Sequence, residues 1–407
     1  MEIKNKLNSF YNFLFAVFCF SIPFEEYASA APNLLIVALL ALFPFVVKKN
    51  QIRTVLQNKS YIAFLFFFLF ILINTLIKQQ ISADFYVLSK LIIPCLLILL
   101  SAPLERIKKI KFSFIIATLL SVLYSTINLI EYNIASEVFN FSKGNFINDL
   151  LVSERLYIGL CSVVSFVFLI ELFVKSKTNT KKIIYFTASI FLVSFVFLIA
   201  ARIAIITIVL ISFMFILSKL GRKNKIISSI SLLIFICLFF IFNKNLTKRF
   251  LHANDIYSKS FYAKIVKHEP RFEIWNCSYN IVKTNHNFLV GNGFSQARKQ
   301  LNNCFLESIE VEKRRDWFVK SNFNAHNQFI GVFLGSGAIG LAIFLILFYF
   351  LYTESKGDFY SLSLLCSLIL MCCVESVFLR QIGEYIFSLI IIIILKRKSA
   401  INKNIIV

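Results

Sequence analysis

Apolar runs close to the length that crosses a hydrocarbon core recur from one end of this sequence to the other. About 20 such residues in helical form span a bilayer. The runs lie near 9–24, 33–47, 61–77, 88–102, 113–131, 154–174, 183–200, 202–218, 226–242, 327–352, 360–375 and 382–395. From Ile183 to Leu220 the chain runs for 38 residues almost without a polar break. As one helix that stretch would be about 57 Å long, against a hydrocarbon core of about 30 Å. It therefore reads as two helices, reversing at Ala200-Ala201-Arg202. The predicted class is an all-α polytopic integral membrane protein with about twelve transmembrane helices.

Composition agrees, with 58% hydrophobic residues and 48 Phe in 407, and a mean hydropathy of +0.77. A net charge of +22 would suggest nucleic acid in a soluble chain. Here the basic residues cluster in alternate loops, so orientation explains them and no nucleic-acid partner is expected. Lys4, Lys6, Lys48, Lys49, Arg106, Lys108, Lys181, Lys182, Arg222, Lys223 and Lys396 to Lys398 fall on one side. By the positive-inside pattern that side is cytoplasmic, and both termini lie there. Met1 to Lys6 is a short basic start that leads straight into apolar sequence, and no cleavable signal peptide is expected. The organisation expected is helices 1–9 over residues 1–242, an external loop over 243–325, and helices 10–12 with a cytoplasmic tail over 326–407.

The external loop holds most of what suits chemistry. His252, His268 and His286 lie in it and His326 at its end, with Trp275 and Trp317 between. Binding and catalysis concentrate in such loops, so an outward-facing site is expected. Cys277 and Cys304 also lie there, and their spacing permits a disulfide without requiring one. The five aspartates are isolated, with no DxD pair for a divalent cation, and no P-loop or dinucleotide fingerprint occurs. The expectation is chemistry without metal, ATP or cofactor, on a substrate already activated.

Three arginines stand out. Arg202 interrupts an apolar run, where a buried charge costs roughly 2.5–3.5 kcal/mol and needs an anion or water. Arg271 opens RFEIWNCSYNIV, and Arg380 lies in VESVFLRQIGEY. Guanidinium groups bind phosphate oxygens bidentately, so together they suit a diphosphate. Taken singly, each also fits a blander role: Arg202 snorkelling, Arg271 paired with a nearby Glu, Arg380 paired with Glu375 or Glu384. Downstream of His326 the chain reads AHNQFIGVFLGSGAIG, and six of its 11 glycines fall between 291 and 340. Glycines at helical spacing predict a helix built for close approach of another backbone or a ligand.

Arg202 between two helices, R271-x-x-x-W275, the G291-N-G293 turn, A325-H-N327 and the glycine-rich helix, in that order, resemble the O-antigen ligase family. That family includes O-antigen polymerases and related lipid-linked glycan transferases. The closing VESVFLRQIG resembles members whose penultimate loop carries Glu-Ser and Arg-Gln-x-Gly. The motifs occupy about 183–383, and residues 1–180 match only as a hydropathy pattern.

The resemblance implies a GT-C-like helical fold in the bacterial inner membrane, with short helices of the outer loop above the site. It implies transfer of a glycan from undecaprenyl diphosphate to a sugar hydroxyl of the lipid A core. Carried over, Arg202, Arg271 and Arg380 would bind the diphosphate, and His326 would orient or deprotonate the acceptor hydroxyl. Neighbouring arginines are expected to favour the neutral imidazole that this role needs. Trp275 and Trp317 are candidates for stacking on sugars, with Asn327, Gly337, Gly340 and Glu375 in support. His268 and His286 are rivals for the functional histidine. A polymerase joining lipid-linked repeat units is the alternative within the family. A lipid-linked sugar flippase is the alternative outside it, for which internal repeats and interrupted helices would be expected.

Overall fold

The computed structural model describes residues 2–105, 107–136, 146–219, 221–242, 269–284 and 287–405, and these form helices joined by turns. His252, His268 and His286 fall outside the described residues. The first half comprises α1 (Glu2–Ser21), α2 (Ala30–Val46), α3 (Lys49–Leu56), α4 (Lys59–Ile77), α5 (Ile81–Leu100), α6 (Ile107–Ser136), α7 (Phe146–Leu150) and α8 (Arg155–Lys175). Next come α9 (Asn179–Leu198), α10 (Arg202–Lys219), α11 (Arg222–Phe242), α12 (Pro270–Thr284), α13 (Phe294–Ser308) and α14 (Glu312–Ser321). The chain closes with α15 (Gln328–Ser355), α16 (Phe359–Val374) and α17 (Gln381–Ile405).

Each apolar run falls on one helix. Among the described residues eight helices are long and apolar enough to cross a membrane alone, or nine if α2 and α3, bent by 120°, make one span. The reversal inside the 38-residue run falls between Leu198 and Arg202, where Ala200 takes a left-handed φ of 50°. Arg202 is therefore not submerged in an apolar helix. It is the first residue of α10, where its side chain can leave the apolar run.

Two cores form. The larger lies among the long helices and is dense in rings: Phe64 meets Phe378 and Phe387, while Phe67 meets Phe344 at 4.9 Å between centroids. Between apolar helices in lipid, such contacts stabilise by close packing rather than by removal from water. The smaller core holds Ile274, Leu301, Phe305 and Phe318 beneath α12, α13 and α14. Burying a large apolar side chain away from water contributes roughly 1.5–3 kcal/mol.

The glycine-rich stretch does admit another backbone closely, but at a break in the helix rather than along a helical face. α15 is broken at Gly337 (φ 70°, ψ −169°), and residues 288–293 lie across the break. Leu334 and Gly335 carbonyls accept from the N–H groups of Asn292 and Gly293, at 3.2 and 2.9 Å. Ala338 and Ile339 donate to the carbonyls of Phe288 and Leu289, at 2.9 and 3.1 Å. Backbone groups freed by a helix break need such partners, since an unpaired buried one is costly. A Cβ on Gly337 would stand 2.3 Å from the Leu289 carbonyl oxygen, and one on Gly291 would stand 2.5 Å from the Gly337 nitrogen. Only glycine fits either place.

The ends of α4 and α5 hold the same loop. Asn74 and Lys78 donate to the Val290 carbonyl at 2.9 and 2.6 Å. Asp84, fully buried in the first turn of α5, accepts from the N–H groups of Phe294 and Ser295 at 3.0 and 2.7 Å. A carboxylate at the start of α13 matches the positive end of that helix.

Candidate functional site

His326 ends a short non-helical link between α14 and α15. Its φ of 41° is left-handed, a conformation a non-glycine residue keeps only where its surroundings impose it. The surroundings do impose it. The Asn324 side chain accepts from the His326 N–H at 2.7 Å and from the Ser376 hydroxyl at 3.0 Å. Asn327 caps α15, its side-chain oxygen accepting from the N–H groups of Phe329 and Ile330 at 2.9 and 3.0 Å. Its amide also donates to the Cys373 carbonyl at 2.9 Å, and Gln328 accepts from the Phe378 N–H at 3.1 Å. Two links, 324–328 and 373–378, are thus stapled together.

That stapling brings Glu375 Oε2 to 3.1 Å from His326 Nδ1. A carboxylate there holds the proton on Nδ1 and leaves Nε2 as the nitrogen with the lone pair, the tautomer a general base needs. Burial alone would raise the Glu375 carboxyl. The hydrogen bond and charge of His326, the charge of Arg271 and the Ser376 N–H outweigh it, leaving the carboxyl below the usual range. The charged group in contact with the imidazole is therefore an acid, where the sequence suggested arginines.

Arg271 adjoins this pair. Its Nε donates to the Val374 carbonyl at 3.1 Å, one residue before Glu375, and its Nη1 meets Glu269 Oε1 at 2.7 Å. Arg202 Nη2 meets the other oxygen of Glu269 at 2.5 Å. One carboxylate thus bridges two guanidinium groups, of which Arg202 lies 67 residues before it in sequence. Burial pushes Glu269 up, but the charges and hydrogen bonds of Arg202 and Arg271 bring it below its usual value. An arrangement that holds one anion between two arginine forks has the donors a phosphate requires.

Arg380 does not join this cluster. It reaches Glu154 at 2.5 Å, ahead of α8, and its side chain is 54% exposed. Neither acid suggested for it is its partner: Glu375 is bonded to His326, and Glu384 lies 3.1 Å from Lys90. Trp275 donates its indole N–H to the Ala325 carbonyl at 3.1 Å, so it braces the residue before His326. Trp317 is half exposed and meets Phe323 edge-on at 5.0 Å, and Phe323 in turn lies 5.5 Å from the His326 ring. Gly337 and Gly340 shape the broken helix and do not touch His326. Cys277 and Cys304 form a disulfide joining α12 to α13.

A model of the O-antigen ligase family matches residues 186–345. That stretch, less than half of the chain, is similar to the O-antigen ligase family. The matched stretch runs from α9 into α15 and contains Arg202, Arg271, Trp275, Trp317 and His326. Glu375 and Arg380 lie beyond it. No curated protein matches the chain. The similarity supports glycan transfer of the ligase or polymerase type in general. Residues absent from the sequence expectation are Glu269, Asn324, Gln328 and Asp84. A signal existed for two of them: Glu269 stands two residues before Arg271, and Asp84 is a lone acid just ahead of an apolar run.

Proposed function

We propose that this protein transfers a glycan from undecaprenyl diphosphate to a hydroxyl of the lipid A core, with His326 as the base. The observation that carries this is the contact between the His326–Glu375 pair and the Arg202–Glu269–Arg271 cluster through Val374 and Arg271. His326 Nε2 takes the proton of the acceptor hydroxyl as its oxygen attacks the first sugar carbon. The bond from that carbon to the diphosphate breaks, and the arginines hold the charge that develops on the leaving group. Because the donor is already activated, the step needs no nucleotide, and no metal is assigned a part in it.

Next to this polar cluster runs an apolar crevice, lined by Val87, Leu91, Phe294, Val332 and Phe378 and bordered by Asn324 and Ser376. A polar head site beside an apolar crevice suits an amphiphilic donor. The disulfide between α12 and α13 supports an oxidising compartment for this face, and so an orientation with both termini in the cytoplasm.

Within the family, ligase is favoured over polymerase. The Glu-Ser of VESVFLRQIG is the pair that holds His326 and Asn324. The break in α15 is a feature that a lipid-linked sugar flippase would share. Its backbone groups at 334, 335, 338 and 339 are bonded to residues 288–293 rather than turned to a substrate.

Deletion of the gene, followed by gel analysis of surface lipopolysaccharide, tests the reading. The expected result is a bare core with long glycan recovered on its lipid carrier, and His326→Ala should reproduce it. A core bearing a single repeat unit would make the protein a polymerase. Normal capped core from the His326→Ala variant would overturn the catalytic role.

A further inference from the structure

Beyond the disulfide, α12 and α13 border a cleft of about 690 Å³, within the range of small-molecule sites. Half of its ten lining residues are carboxamides: Asn280, Asn287, Asn292, Gln300 and Asn303. Glu307 is the one ionisable side chain among them, in a chain of net charge +22. The amides are not randomly set. Asn287 Nδ2 donates to Asn292 Oδ1 at 3.1 Å, and Asn292 Nδ2 donates to Gln300 Oε1 at 2.9 Å. This relay fixes which way the amide groups face. Each carboxamide pairs a donor with an acceptor, the match for a hydroxyl that both gives and takes a hydrogen bond. Among the described residues, no cationic side chain lines the cleft.

Asn280 and Arg271 share α12, nine residues apart. At 100° per residue they face opposite sides of the helix, and they are separated by about 14 Å along it. Sugars bound in the cleft are therefore not those next to a diphosphate at Arg271.

Resting on the glycan-transfer reading above, we infer that this cleft is a second saccharide site, holding uncharged, hydroxyl-rich sugar units remote from the reacting bond. Binding energy from non-reacting parts of a substrate can be used to favour one glycan over another. The cleft would thus contribute to the choice of glycan, while the His326 cluster performs the transfer.

The test uses the purified full chain in detergent and two probes: the host's own surface glycan released from lipid by mild acid, and the core oligosaccharide from the deletion strain. Titration should show saturable binding of the glycan to the wild type and to His326→Ala alike. The double variant Asn280→Ala/Asn303→Ala, both at exposed helix positions, should bind at least tenfold more weakly at an unchanged melting temperature. Asn303→Trp, which fills the cleft, should abolish binding. Binding of the core oligosaccharide in place of the glycan, lost in the same variants, would assign the cleft to the acceptor. Absence of saturable binding of either probe, or equal affinity in the cleft variants, would overturn the inference. Transfer by His326→Ala would instead sink the catalytic reading and leave the cleft to be decided by binding alone.

Discussion

Glu375 stands 3.1 Å from His326 Nδ1, although 49 residues separate them in sequence. The geometry depends on a carboxylate, because only an acceptor keeps the proton on Nδ1. In Glu375→Gln the amide N–H can face Nδ1 and favour the wrong tautomer. Transfer should fall by about 10²-fold or more while the protein still folds. Glu375→Asp should retain more activity than Glu375→Gln. Equal activity of Glu375→Gln and wild type would remove the acid from the mechanism.

Glu269 makes the second test. Arg202→Lys or Arg271→Lys keeps the charge but loses the two-pronged grip, so each should lose most transfer. Glu269→Ala leaves two neighbouring guanidinium groups without their shared anion and should destabilise by about 1–3 kcal/mol. Full transfer by both Lys variants at normal expression would exclude the arginines from the site.

Acid stability follows from the same two carboxylates. Glu269 and Glu375 both titrate below their usual value when folded. The unfolded chain therefore takes up their protons first as pH falls. Their contribution is complete above the ordinary carboxylate range, about pH 4.3, and is lost as pH falls from there through the folded values. Melting temperature in detergent should drop over that window, and the drop should shrink in Glu269→Gln.

A glycine pair separates backbone strain from crowding. Gly357 has φ 88° and open space around it, whereas Gly337 has φ 70° with the Leu289 carbonyl 2.3 Å from a would-be Cβ. Gly357→Ala should cost about 1–2 kcal/mol, the usual price of a left-handed alanine. Gly337→Ala should cost at least about 3 kcal/mol. Similar melting temperatures for the two variants would contradict the crossing at 288–293.

The disulfide offers a fifth test. Cys277 and Cys304 are 27 residues apart, so their bond should contribute about 3–4 kcal/mol by restricting the unfolded chain. A reducing agent should lower the melting temperature of the wild type and leave that of Cys277→Ser unchanged.

The helices and the reversal at 199–201 were legible because hydrophobic length is a local property of the chain. Arg202, Arg271 and His326 were visible as polar residues with no reason to stand where they do. The pairings were not. Which acid meets Arg380 depends on where the link ahead of α8 passes, and Glu154 carries no sequence mark of that. The glycines at 335, 337 and 340 stand out in the sequence, but their near-helical spacing points to a contact stripe. Only the path of 288–293 distinguishes a stripe from a break.

That crossing bears on how the protein could be taken apart. Cut free near residues 243 and 325, the segment between them would lose its bonds to 334, 335, 338 and 339 and the Asp84 cap on α13. The remaining helices would keep a broken α15 with bare amide and carbonyl groups where the loop had been. The sequence marks residues 243–325 as a loop between helices, but neither piece is a self-sufficient module. Chimaeras that exchange residues 243–325 between relatives should be grafted together with the first half of α15 and the ends of α4 and α5.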